Sequence, residues 1–169
     1  MKHPIIVKKE KIIDFPVKRV WEFIEPAAHI AIWYPDAVYS EKISGDGIGR
    51  KQLLFLKWGK KEVEIVQELV DYQVNSLIRW KHIRETFDGK ENLSRTTENY
   101  FSILLADKGD KTLLSLQSEI IPGRGWKTFQ IKLLKKPHLE KSLNSSILKI
   151  ENGIRSPQLP KTTLMDALL

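Results

Sequence analysis

The 169-residue sequence contains no cysteine. That excludes a disulfide scaffold, a thiolate zinc site and a cysteine nucleophile together, and it fits a cytoplasmic setting. Long apolar runs are missing too. The amino-terminal MKHPIIVKKEKIIDF is broken by charge after a few residues, so it is neither a secretory core segment nor a membrane span. Histidine is sparse: His3, His29, His82 and His138 stand far apart, with no His-x-His, HExxH or His–carboxylate grouping, and no metal is expected. No Gly-x-Ser-x-Gly elbow supports a serine hydrolase. Acidic residues number 21 against 28 Lys and Arg, a net charge of +7, which raises nucleic acid or anionic membrane as partners. The lysines are scattered, however, with doublets at Lys8-Lys9, Lys60-Lys61 and Lys135-Lys136 and no basic arm or recognition motif, so nucleic acid is not expected.

The stretch SGDGIGRKQLLFL, Ser44 to Leu56, offers three glycines and an arginine in the manner of a phosphate loop. Such loops cradle phosphate because a helix N-terminus follows them. Here a short Leu-rich and aromatic segment follows, stopped at Gly59, and it has the character of a strand. The Lys-Ser/Thr pair of a P-loop is also absent. The spacing predicts a hairpin turn that uses positive φ at Gly45, Gly47 or Gly49. No cofactor is expected.

Along the chain, Ile5 to Asp14 mixes β-branched and charged residues as an opening strand. From Pro16 the period changes: Val17, Val20, Trp21 and Ile24 follow the spacing of one helical face. A second short helical piece, AAHIAIWYP, ends at Pro35. Then come AVYSEKI, RKQLLFLKW, KKEVEIVQELV, NSLIRWKHIRETF, TTENYFSILLA and TLLSLQSEII in series. Turn-forming segments separate them, so successive strands are antiparallel. With the first strand they make a sheet of about seven strands. Helical periodicity returns at Trp126, Phe129 and Leu133, is interrupted at Pro137, and continues through Leu139, Leu143, Ile147, Ile150 and Ile154 to about Gly153. The chain is therefore expected to form one α+β domain, 1–155, with a tail over 156–169. At this length roughly 70% of the unfolded surface can be buried.

Alternation assigns faces. In LIRWKHIRETF, Ile78, Trp80, His82 and Arg84 share one face, while Arg79, Lys81 and Glu85 share the other. The first set is expected to face inward because it carries the tryptophan. The next strands present Asn99, Phe101, Ile103 and Leu105, then Leu114, Leu116, Ser118 and Ile120. The expected cavity wall is apolar with polar points at His82, Arg84, Asn99 and Ser118, as small-ligand pockets are. His82 is the candidate acid or base and Arg84 the candidate holder of an anionic oxygen. The structural alternatives are a satisfied wall histidine and an arginine reaching solvent. Trp80 is a cavity candidate, with Trp126 and Phe129 on the closing helix opposite; core packing without a ligand is the alternative. Lys127, Lys132, Lys135 and Lys136 surround Trp126 and Phe129 and allow transient contact with an anionic membrane, or else form a solvated charged face. Glu62, Glu64 and Glu68 lie on one strand face, where cross-strand pairing with Arg79 and Lys81 is the expected use.

The order of these elements and their local motifs resemble the polyketide cyclase/dehydrase-like branch of the SRPBCC, or START-related, superfamily. IIDFPVKRVWEFIEPAAHIAIWYP looks like that family's opening strand, proline turn and Val-Trp helix. GDGIGR looks like its hairpin, GKKEVEIVQELVDYQVNSLIRW like its paired strands, and LEKSLNSSILKIENGI like its closing helix. The resemblance covers Ile5 to about Ile154. It implies a helix-grip fold, β-α-α-β6-α, in which a curved antiparallel sheet wraps a long C-terminal helix around an apolar cavity. It does not imply one shared reaction. The expected function is binding or transport of a hydrophobic small molecule such as a lipid, quinone, isoprenoid or polyketide-like aromatic. The alternatives are a cofactor-independent cyclase or dehydratase using His82 and Arg84, and a protein-interaction domain of the chaperone-activator kind.

Overall fold

A computed structural model describes residues 3–34, 36–91, 98–122 and 136–156. Eight strands form one antiparallel sheet: β1 (Ile5–Ile13), β2 (Ala37–Ser44), β3 (Lys51–Trp58), β4 (Lys61–Gln73), β5 (Leu77–Phe87), the two-residue β6 (Lys90–Glu91), β7 (Glu98–Asp107) and β8 (Thr112–Ile121). Their order is β1-β8-β7-β5-β4-β3-β2, with β6 appended to β5. The strand segments expected from alternation all appear. Between β1 and β2 lie helix α1 (Val17–Ile24), a 3-10 turn (Ala27–His29) and the single-turn α2 (Ile30–Trp33). Helix α3 (Lys136–Arg155) closes the fold.

Local chemistry explains the punctuation. Pro16 sits at the N-cap of α1 in extended conformation, and Pro26 plays the same part for the 3-10 turn. Gly45, Gly47 and Gly49 all have positive φ in the turn between β2 and β3, as expected, and the Gly49 N–H bonds Leu69 O at 2.7 Å. The loop is thus tied to β4 as part of the sheet. One boundary differs: DYQVN, expected as a turn, is strand through Gln73, because the reversal needs only the residues around Asn75, which takes φ 61°.

Helix α3 lies on the concave face. Its buried residues Leu143, Ser146, Ile147, Ile150, Gly153 and Ile154 form one stripe at helical spacing. They join a core containing Val20, Trp21, Phe23, Ile24, Trp33, Leu54, Trp80, Ile103 and Leu116. Each large apolar side chain buried in this way contributes roughly 1.5–3 kcal/mol. The apolar contacts are drawn together at the carboxyl-terminal half of α3, where Gly153 is so close to Phe23 that a Cβ would lie 2.3 Å from the ring. The carboxyl-terminal half is therefore pressed onto α1, and the amino-terminal half spans the sheet at a distance.

The convex face carries ion pairs among exposed apolar residues such as Ile6, Ile12 and Leu104. Arg79 pairs with Glu119 at 2.7 Å and Lys81 with Glu98 at 3.3 Å. These basic residues of β5 therefore make ion pairs toward β7 and β8. The expected pairing with the glutamates of β4 is replaced because Glu98 and Glu119 stand on the other side of the same strand. Among the described residues no helix is long and apolar enough to cross a membrane.

Candidate functional site

Between the concave sheet and the amino-terminal half of α3 lies a cavity of about 350 Å³. Its apolar walls are Leu56 and Ile65 from the middle strands, Trp58 and Phe87 at the rim, Phe101 and Ile120 from the far strands, and Leu139 and Leu143 from α3. Phe101 is held between two tryptophans, with ring centroids 6.0 Å from Trp33 and 6.1 Å from Trp80. The volume falls within the range of roughly 300–1,000 Å³ typical of small-molecule pockets.

The polar points of the cavity are Tyr34, Asp36, His82, Glu85, Asn99, Ser118, His138, Ser142 and Ser146. His82, Asn99, Phe101 and Ser118 therefore stand in the wall, where alternation placed them. Trp80, Ile103 and Leu116 face the same way but are at most 1% exposed, and they lie in the core beneath the wall. Alternation gives the face of a residue and not its depth. Trp126 and Phe129, with Lys127, Lys132 and Lys135, lie outside the described residues.

Arg84 departs from expectation. The β4–β5 register passes from Gln67↔His82 to Val66↔Arg84, so one residue of β4 is advanced while two of β5 are consumed. Ile83 is the extra residue, a β-bulge 44% exposed. A single inserted residue reverses the parity beyond it. Arg84 is consequently exposed on the outer face, and Glu85, opposite Ile65, enters the cavity in its place. The bulge exchanges a cation for a carboxylate.

The polar side chains of the wall are wired together. Gln52 Nε2 donates to Gln67 Oε1 at 2.9 Å, and Gln67 Nε2 donates to His82 Nε2 at 2.9 Å. His82 Nε2 is then an acceptor, so the proton of the neutral ring sits on Nδ1 and is donated to Glu85 Oε1 at 3.3 Å. Asn99 Nδ2 also approaches Glu85 Oε1, at 3.5 Å. Both nitrogens of His82 are thus engaged within the wall. A proton-carrying role toward a ligand would require breaking one of these bonds.

Two further groups complete the site. Burial pushes the Tyr34 phenol up to about 12, with the negative charges of Glu85 and Asp36 adding to the effect. Asp36 itself adopts φ 61°, a conformation Asp tolerates, and its carbonyl accepts from Lys57 N–H at 3.0 Å, which fixes it at the cavity mouth. On α3, Ser146 is fully buried and its hydroxyl has no hydrogen-bond partner. Ser142 and Ser146 were not singled out from the sequence. Their signal is two small polar residues set into the apolar stripe of Leu139, Leu143 and Ile147, where larger side chains would fill the space. A separate open groove of about 590 Å³ runs past Glu25, Ser40 and Arg50 on another part of the surface.

No protein-family model matches the chain, and no curated protein sequence matches it. Solved structures do. TTHA0849 from Thermus thermophilus superposes with a TM-score of 0.70 at 13% identity, covering 92% of this chain and all of that one. Ara h 8.0201 gives 0.65 at 10% identity over 91% of this chain and 99% of its own. The ginseng major latex-like protein 151 from Panax ginseng gives 0.62 at 12% identity over 88% and 96%. At these identities the likeness is one of fold: a curved antiparallel sheet gripping a long carboxyl-terminal helix, the helix-grip arrangement expected from the SRPBCC resemblance.

Proposed function

We propose that this protein binds a hydrophobic small molecule, of the size of a lipid chain, quinone, isoprenoid or polyketide-like aromatic, between the concave sheet and the amino-terminal half of α3. The observation that carries the reading is the cavity itself: about 350 Å³, walled largely by apolar and aromatic side chains and bearing a few convergent polar groups. The buried, unpartnered Ser146 hydroxyl supports it, because an orphaned buried polar atom is costly unless something else satisfies it. The helix-grip fold of neighbours such as the major latex-like protein is compatible with such a cavity. A cyclase or dehydratase using His82 has less support, since both ring nitrogens are bonded within the wall.

The test is native mass spectrometry of the purified protein beside a denatured control, followed by extraction of anything released and by titration with a neutral hydrophobic fluorophore. A stoichiometric apolar adduct or saturable fluorophore binding is expected. Ser142→Phe, which fills the cavity from a half-buried helix position, should abolish either signal while leaving the unfolding midpoint nearly unchanged. Binding undiminished in Ser142→Phe, or no adduct and no fluorophore binding in the unaltered protein, would rule the reading out.

A further inference from the structure

We propose that β1 is a docking edge for a second copy of this chain: two β1 strands pair antiparallel about a two-fold axis at Lys9 and join two sheets into one. β1 ends the strand order, with β8 on one side, and among the described residues no backbone hydrogen bond reaches its other edge. An open strand edge presents N–H and C=O groups and is a template for another strand. The sequence of this edge chooses its partner. IIVKKEKII reads nearly the same in both directions about Lys9. In an antiparallel pair centred there, residues directly opposite share a face. Ile6 then meets Ile12 of the second copy, Lys8 meets its Glu10, and the two-fold axis repeats each contact.

The pairing accounts for two exposed isoleucines. Ile6 and Ile12 stand on the convex side of the edge strand, 49% and 55% exposed, and the Lys9 register buries each against the other at both ends of the contact. The neighbouring registers do not. Centred on Lys8, the pair would set Lys8 against Lys8 and Ile6 against Glu10; centred on Glu10, it would set Glu10 against Glu10 and Ile12 against Lys8. Lysines on an edge strand commonly repel a second strand, but here their charges are already answered. On the concave side Lys9 pairs with Glu140 at 3.6 Å and Lys11 pairs with Glu151, both glutamates on α3. On the convex side Lys8 and Glu10 pair within the strand at 2.8 Å while about half exposed. Exchanging that ion pair for two between copies keeps the charges matched and adds the burial of the isoleucines.

The test is sedimentation velocity of the full chain from about 1 μM to about 500 μM, the range in which a small edge-to-edge interface associates. A reversible monomer–dimer equilibrium is expected. Lys8→Glu sets glutamate against Glu10 twice, and Glu10→Lys sets lysine against Lys8 twice; each variant alone should weaken the dimer by about tenfold or more. An equimolar mixture of the two variants restores both opposite-charge contacts across the axis, and dimer should return. Neither variant has an attractive 8–10 pair within its own strand, so the rescue reports the contact between copies and not the stability of β1. Both positions are exposed, and urea unfolding of each variant checks that the fold is kept. A monomer at every concentration would overturn the pairing and mean that the edge is covered within the chain or by a different protein. A dimer that both variants leave unchanged, or a mixture of folded variants that stays monomeric, would overturn it as well.

Discussion

Gly153 sits two residues before the end of α3, a place where glycine ordinarily signals a helix stop, yet the helix continues through Arg155. Its role is to allow contact. A Cβ there would lie 2.3 Å from Cζ of Phe23, 2.9 Å from Cε2 and 3.1 Å from Cε1, against an ordinary carbon–carbon contact of about 3.5–4.0 Å. The ring would have to retreat by more than about an ångström. It has little room to do so, since Phe23 is buried and its carbonyl accepts from His29 Nδ1–H at 2.9 Å. Gly153→Ala gains about 1 kcal/mol of helix propensity and incurs about 1–3 kcal/mol of overpacking. A net destabilisation of up to about 2 kcal/mol is expected where propensity alone predicts stabilisation. Urea unfolding followed by circular dichroism measures it. In a Phe23→Leu background the obstruction is gone, and the same substitution should then stabilise by up to about 1 kcal/mol. That change of sign is the signature of the Phe23 contact. If Gly153→Ala stabilises the unaltered protein, the close approach of α3 to α1 is wrong, and with it the account of why the cavity opens at the other end of the helix.

Other expectations follow from the electrostatics. Burial and its neighbours hold the Tyr34 phenol near 12 against about 10 in the unfolded chain. Its contribution to stability is complete below pH 10 and is lost as pH rises toward 12. Tyr34→Phe should remove about 2–3 kcal/mol of that alkaline destabilisation, and an unchanged alkaline unfolding curve would contradict it. Arg50 bonds Glu25 Oε1 at 2.6 Å and Glu25 O at 3.2 Å, with the arginine side chain 8% and the glutamate 27% exposed. Glu25→Gln should cost about 2–3 kcal/mol, because it strands the more buried partner, and Arg50→Met about 1–2 kcal/mol, because water reaches the carboxylate. The reverse order in chemical denaturation would show that the desolvated partner is misidentified. The wall wiring places the His82 proton on Nδ1. Nitrogen-15 shifts of the ring near neutral pH should show that tautomer, and the Nε2–H form would mean that the Gln52–Gln67 chain runs the opposite way.

The strands were legible because each shows a plain signal: β-branched and aromatic runs, period-two burial and turn residues between them. In β8, Leu114, Leu116 and Ile120 are buried as their alternation requires. The helices were legible for the same reason, with Val20, Trp21 and Ile24 on one buried face of α1. The site was legible only in part. Ile83 carries no mark of a bulge; it is one more β-branched residue in a run of strand formers, and the extra residue appears only in the pairing with Val66 and Gln67. From that point every inward and outward assignment in β5 is inverted. Depth was hidden too. Trp80 and His82 share a face, but Trp80 is fully buried in the core and His82 stands in the cavity wall. Tyr34 and Asp36 come from the short link after α2, where no period operates.

The wedge between α3 and the sheet and the bulge in β5 are separate devices, and the site needs both. Gly153 lets the helix press onto Phe23 at one end, so that Ile147, Ile150 and Ile154 close the core there. A straight 20-residue helix is about 30 Å long, which is enough for its other end to stand clear of a curved sheet. Space arises at that end because Ser142 and Ser146 occupy positions where the stripe would otherwise present bulk. This sets the volume. The bulge sets the chemistry, because in a regular strand of the same sequence Arg84 would face the cavity, and the hydrogen-bond chain from Gln52 would end at His82 with no carboxylate to receive its proton. Deleting Ile83 removes the extra residue but sets Arg84 directly after His82, so Arg84 should still face outward, opposite Val66, and Glu85 inward, opposite Ile65. A deletion variant that keeps its strand signal in circular dichroism should therefore retain the Nδ1–H tautomer of His82 and its binding of the neutral fluorophore. A folded deletion variant with the Nε2–H tautomer would show that Glu85 no longer reaches His82 and that the extra residue does more than restore the parity.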